Sequence, residues 1–149
     1  MRTGADDEAW LDGIWRRHRP RVVGFLRRAS EPNEAEDLAE QTFIEAWRRR
    51  VAAPDQPLPW LLGIAHQLHR ARHGTPVPWT PLARADAQLA AACAELTDDE
   101  RTCLLLFVLD DLTDEEVAEV VGCDPAAARR NRERARDKLR HALGGVMTA

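Results

Sequence analysis

Apolar residues recur along this chain at spacings of three and four, and no segment alternates strictly between apolar and polar. That period places them on one side of a helix. Trp10, Leu11, Ile14 and Trp15 predict a first helix over roughly 7–18. Pro20 lacks an N–H and crowds the preceding turn, so it is expected to interrupt that helix or to open a second segment. Val22, Val23, Phe25 and Leu26 continue the stripe to about Ala29, and Ser30-Glu-Pro-Asn33 reads as a turn. Ala35, Leu38, Ala39, Thr42, Phe43, Ala46 and Trp47 predict a helix over roughly 34–50. Acidic residues open it and Arg48, Arg49 and Arg50 close it, as the helix dipole favours. A three-proline loop (52–59) leads to a helix over roughly 59–72, with Leu61, Ile64, Ala65 and Leu68 inward.

The stretch 74–81 holds three more prolines and predicts a semi-rigid extended linker. Four helices are expected beyond it. The first covers roughly 82–95. Thr97-Asp-Asp-Glu100 and Thr113-Asp-Glu-Glu116 are capping boxes that open the second and third. Gly122 is placed to end the third, Asp124 to cap the fourth and Pro125 to occupy its first position, with the fourth running to about 143. A short helix, a glycine-containing turn and a longer basic helix form the helix-turn-helix pattern. The expected fold class is therefore all-α: two small helical domains (7–73 and 82–143) joined by a Pro-rich linker (74–81), the C-terminal one a helix-turn-helix.

Charge sharpens this picture. The whole 149-residue chain carries a net −4. Residues 1–81 hold 12 basic against 11 acidic groups, 82–124 hold 2 against 12, and 125–149 hold 7 against 2. The last helix is thus a concentrated positive element behind an acidic block, and local fields decide where a phosphate backbone docks. No apolar run approaches about 20 residues, so no membrane-spanning helix is expected. The acidic N-terminal stretch lacks the features of a secretory leader, and cytoplasmic localisation is expected. Cys93, Cys103 and Cys123 make neither a disulfide framework nor a zinc pattern and are expected to be small buried hydrophobes on three helices. His66, His69 and His73 share a helix face, but no Cys or carboxylate lies within a turn, and solvated or DNA-facing histidines are favoured over a metal site. No phosphate-binding glycine loop or catalytic constellation is visible, so no enzyme activity and no cofactor are expected.

Three stretches, in order, resemble the small two-domain extracytoplasmic-function sigma factors of bacterial RNA polymerase, within the sigma-70 superfamily. They are Ala35-Glu-Asp-Leu-Ala-Glu-Gln-Thr-Phe-Ile-Glu-Ala-Trp-Arg48, Pro59-Trp-Leu-Leu-Gly-Ile-Ala65, and Leu112-Thr-Asp-Glu-Glu-Val-Ala-Glu-Val-Val-Gly-Cys-Asp-Pro125 with the arginine-rich helix after it. The resemblance implies a subunit that binds core RNA polymerase and directs it to specific promoters. It places Asp37, Leu38, Gln41 and Phe43 at the coiled coil of the polymerase β′ subunit. It places Asp55, Gln56, Trp60, His66, Gln67 and Arg70 at the promoter −10 element. It places Arg129, Arg130, Asn131, Glu133 and Arg134 at the −35 element, where a recognition helix enters the major groove. Arg136, Lys138 and Arg140 are expected to meet phosphates or water. Implied partners are core polymerase (β′ coiled coil and β flap), promoter DNA and, as for many family members, an anti-sigma factor.

The chain departs from the family at three points. His66-Gln67 stands where an Arg-Asn pair is common, the helix around it is thinly basic, and Arg132 falls in the inward stripe Ala128, Arg132, Ala135, Leu139, Ala142, where the family places an apolar residue. An arginine there must snorkel outward or pair with an acidic group of the preceding helices, and residues 110–119 supply candidates. Two other readings compete: a stand-alone helix-turn-helix regulator, and a degenerate sigma-like interaction protein that melts promoters poorly.

Overall fold

The computed structural model describes residues 3–28, 30–74 and 87–144, and within them every regular element is helical. Helix α1 spans Gly4–Arg27, α2 Pro32–Arg48 and α3 Leu58–His73, with a 3-10 turn at Arg50–Ala52. Helices α4 (Ala87–Ala94), α5 (Asp98–Leu109), α6 (Asp114–Val121) and α7 (Pro125–Ala142) follow. The expected linker beyond Gly74, the first residues of the expected 82–95 helix and the tail after Gly144 lie outside the described residues.

The helix boundaries follow from local chemistry. Thr97 and Thr113 each accept from the N–H three residues on, while Glu100 and Glu116 reach back to the Thr N–H. A third such box, Thr3 with Asp6, opens α1. Asp124 accepts from the Ala127 N–H at 2.9 Å, and Pro125 sits where a missing N–H costs nothing. Gly74 (φ 74°) and Gly122 (φ 80°) end α3 and α6 in the left-handed region that glycine enters without strain.

Pro20 is a correction. It lies inside a continuous 24-residue α1 and neither interrupts the helix nor opens a second one. Proline inside a helix removes one backbone hydrogen bond. Ile14 before it and Val22, Val23, Phe25 and Leu26 after it are all buried on one side of α1, and that burial holds the two halves in line. Cys123 is another. It is exposed in the turn before α7, whereas Cys93 and Cys103 are buried as expected.

One apolar core runs from α1, α2 and α3 into the second half of the chain, taking in Cys103, Leu106, Leu112, Val117, Ala118, Val120 and Ala128. A smaller cluster joins α4, α5 and α7 through Cys93, Leu96, Leu105, Ala135 and Leu139. Helix α6 rests against α3 at Gly63, where a Cβ would lie 3.5 Å from the Glu119 carbonyl oxygen and 3.6 Å from Val120 Cα. A polar clasp crosses the same boundary. The Arg28 guanidinium donates to both carboxylate oxygens of buried Asp110 at 2.7 and 2.8 Å, and Arg21 donates to the Asp110 carbonyl at 2.5 Å.

Candidate functional site

Helix α2 buries Ala35, Leu38, Ala39, Thr42, Phe43 and Ala46 and turns its other face outward. Asp37 and Gln41 lie on the outer face, with the Gln41 amide donating to Asp37 at 3.3 Å and Arg72 of α3 reaching the same carboxylate at 3.4 Å. Leu38 and Phe43, expected among the partner contacts, are instead core residues at 1% and 3% exposure. The stripe that carries them packs α2 against α1 and α3, which closes Leu38 off, while Phe43 still contributes to the wall of the groove between α1 and α2.

Between α1 and α2 the surface opens into a groove of about 790 Å³. Leu11, Trp15, Phe43, Ile44 and Trp47 line it, with Glu36, Asp37 and Glu40 on its edge. The Trp15 and Phe43 rings meet edge-on at 5.0 Å, and Arg19 lies 5.2 Å from the Trp15 ring centre. Ile44 is 46% exposed and Trp15 36%. Apolar anchors ringed by polar groups are what a docking surface needs. Helical periodicity alone assigned Trp15 to the core. It missed the groove because the gap between α1 and α2 depends on how the two helices cross.

The second group of expected residues splits. Asp55 and Gln56 are exposed in the loop before α3, and Gln67 and Arg70 are exposed on α3 with half-buried Trp60. Trp60, Gln67 and Arg70 share a face of α3, and α6 covers the middle of it at Gly63. His66 is a correction: it is 4% exposed, tilted toward the Phe25 ring at 6.4 Å, and not open to DNA. Burial, aided by the Arg70 and His69 charges and opposed by Asp99, pushes the His66 imidazole down to about 4, so it is neutral at pH 7. His69 is buried as well, and its ring stacks 4.6 Å from that of His73, which bonds Glu34. His66 and His69 therefore pack within the protein, whereas His73 stays exposed as expected, beside Glu34.

The third group lies on α7. Ala128, Ala135 and Leu139 are buried against the preceding helices, which turns Arg129, Arg130 and Arg134 outward with Asn131 and Glu133 at the margin. Arg129 donates to Glu133 one turn on at 3.0 Å. The acidic neighbour thus holds Arg129 extended along the helix. Lys138 departs from expectation, because its ammonium donates to Glu100 of α5 at 2.7 Å. Burial alone would raise the Glu100 carboxyl, but the bonds from Lys138 and from Thr97 outweigh it and the net shift is downward. Arg132 has the acidic partner its position requires: the guanidinium donates twice to Asp114 of α6, both at 2.9 Å.

A capped α6, a tight glycine turn and an α7 with one face in the core and arginines on the other define a helix-turn-helix DNA-binding protein. Comparison with known proteins narrows the class. Residues 14–73 match the family described as Sigma-70 region 2, and residues 86–139 match Sigma-70, region 4. The chain is 32% identical over 166 aligned positions to the RNA polymerase sigma factor CarQ of Myxococcus xanthus, covering 97% of this chain and 94% of that one. It is 30% identical to the ECF RNA polymerase sigma factor SigC of Mycobacterium tuberculosis, covering 89% of this chain and 78% of the relative. Its fold is similar to that of the sigma factor RpoE of Bartonella quintana, solved in complex with the anti-sigma factor NepR. The TM-score is 0.66 at 18% identity, covering 89% of this chain and 95% of that one. The chain belongs to the sigma-70 family, in its extracytoplasmic-function group. It is a sigma factor, a subunit that directs core RNA polymerase to promoters. Among the described residues no helix is long and apolar enough to cross a membrane.

Proposed function

We propose that the two halves of the chain divide the work of initiation. Helices α1–α3 form the domain that docks on the β′ coiled coil and meets the −10 element. Helices α4–α7 form the domain that meets the β flap and reads the −35 element. On α2 the docking contacts are Asp37 and Gln41, joined by Ile44 and the edge of the neighbouring groove. On the −10 side they are Asp55, Gln56, Trp60, Gln67 and Arg70, a short polar track with one ring for stacking. On the −35 side they are Arg129, Arg130, Asn131, Glu133 and Arg134. The protein acts in the cytoplasm and does no catalysis of its own. An anti-sigma factor is a further partner, for which the apolar groove between α1 and α2 offers a seat to an amphipathic helix.

One observation carries the reading most directly: α7 turns its arginines outward at the start of a helix whose other face is locked in the core. The promoter elements are named for positions 25 base pairs apart, roughly 85 Å at about 3.4 Å per pair. Helices α3 and α6, in contact here, therefore part when both elements are read at once.

The test is a pull-down of core polymerase followed by run-off transcription from a genomic library. Wild-type chain is expected to bind and to initiate at a defined subset of promoters. The double variant Asp37→Ala with Gln41→Ala is expected to lose polymerase affinity by about tenfold or more, because polar contacts at the centre of an interface are costly to remove. Both side chains face outward, so its thermal midpoint should stay within about 2 °C of wild type. Polymerase affinity left intact by the double variant would remove α2 from the docking surface. Folded wild-type chain that binds duplex DNA but never polymerase would transfer the assignment to a stand-alone regulator.

A further inference from the structure

The inward stripe of α7 is unusual for its lack of shape. Ala128 and Ala135 present one methyl group each, and Leu139 is the single large apolar side chain buried on this helix among the described residues. Small side chains allow close approach, but they interdigitate poorly and leave rotation about the helix axis weakly determined. Arg132 stands between the two alanines, where an apolar knob would otherwise lock the helix.

Its contacts come from two neighbouring helices, α5 and α6. The Nε and one terminal nitrogen donate to the two carboxylate oxygens of Asp114, the first residue of α6. The guanidinium carbon lies 4.1 Å from the centre of the Phe107 ring of α5. The side chains are only 14% and 21% exposed. A two-point fork and a stacked plane are directional in a way a methyl group is not. The Arg132 bonds hold the Asp114 carboxyl below the usual carboxylate range, and they raise the guanidinium. Arg132 also sits in sequence between Asn131 and Glu133, among the residues assigned above to the −35 element. Its guanidinium is turned away from them, into the bundle.

We propose that Arg132 is a positioning residue for −35 recognition: through Asp114 and Phe107 it sets the roll of α7, and it does not touch DNA. This rests on the −35 reading of α7 given above. A roll of about 20° moves a guanidinium lying about 8 Å from the helix axis by about 3 Å, enough to break a bidentate contact to a base edge. Phosphate contacts tolerate such a shift better, because long flexible side chains follow the backbone. Loss of the fork therefore relaxes sequence preference and leaves general DNA affinity in place.

The experiment uses holoenzyme assembled from core polymerase and the full chain. Wild-type holoenzyme first enriches promoters from a library randomised over the −35 element. Arg132→Leu supplies an apolar stripe, and Arg132→Lys keeps the charge without the fork. Asp114, at 21% exposure and at the N-terminal end of α6, stays partly solvated when its partner is changed, so both are expected to assemble with polymerase and to unfold within a few degrees of wild type. Both are expected to keep the salt dependence of promoter binding while losing about tenfold in preference for the enriched −35 sequence over a scrambled one. Asp114→Asn should fall in the same direction, as it removes the charge that holds the fork. Arg132→Leu retaining the preference to within about twofold would overturn the proposal and leave Arg132 as packing alone. A salt slope reduced by about one in Arg132→Leu would also overturn it, because it would show a phosphate contact. A wild-type holoenzyme that enriches no −35 sequence at all would overturn the −35 reading itself, and the proposal with it.

Discussion

Replacing Arg28 with alanine is expected to cost the folded chain about 3–5 kcal/mol, because it strands a buried charge. Asp110 is 4% exposed and both its carboxylate oxygens are taken by the Arg28 fork. Removing the guanidinium leaves the carboxylate in a dry site with no paired cation, and the remaining Arg21 bond goes to its backbone carbonyl instead. A total stability of about 5–15 kcal/mol makes that a large fraction. Urea unfolding of the variant should show a markedly lower midpoint. Arg16 and Asp12 form the control, an i,i+4 pair at 78% and 58% exposure whose removal should change little. Replacing Arg28 and Asp110 together with leucines should recover most of the loss, as apolar substitutes for a buried pair often do. An Arg28→Ala midpoint equal to that of wild type would mean the clasp between α1 and the α5–α6 turn does not hold in solution.

Acidification is expected to remove about 3 kcal/mol of stability between pH 6.5 and pH 4 through one residue, His66. The unfolded imidazole titrates near 6.5, whereas the buried one titrates at about 4. Between those values the unfolded chain holds a proton that the folded chain does not, so stability falls as pH falls. The loss begins as pH drops through 6.5 and is complete below about 4. Burial beside Phe25 is the main cause, and the Arg70 and His69 charges act in the same direction against Asp99. Carboxylates also titrate near the lower limit, so the measurement is a difference. The difference in unfolding free energy between wild type and His66→Leu should change by about 3 kcal/mol from pH 7 to pH 4, with the wild type losing the larger amount. Parallel curves would show that His66 is solvated in the native state.

Much of the local structure was legible in the sequence. Thr97, Thr113, Gly122, Asp124 and Pro125 each act within four residues of their own position, so their side chains and backbone needs declare the helix ends directly. The choice facing Arg132, to snorkel outward or to pair with an acidic group, was equally readable, since an ionised group on an inward stripe cannot stay buried alone, and the structure takes the second course. The identity of that partner narrowed to residues 110–119 because only the adjacent helices can reach it. The candidate contact residues were less legible. Leu38 and His66 carry suitable chemistry, but burial withdraws them. Lys138 was expected at phosphates or water, but Glu100, thirty-eight residues earlier, takes its ammonium.

By itself the sequence determined the helices, their caps, the helix-turn-helix and the family, because those rest on short-range spacing and on motifs of a few residues. Tertiary structure decided what the helices do to one another. Continuity through Pro20 depends on apolar side chains on either side of it finding one core. Burial of His66 depends on α1, which brings Phe25 beside it. The Arg28–Asp110 clasp joins positions 82 residues apart, and the groove at Trp15 exists only once α1 and α2 cross. Periodicity specifies which side of a helix is apolar. It leaves open which neighbour covers that side and how closely, because that is set by packing among all the helices at once.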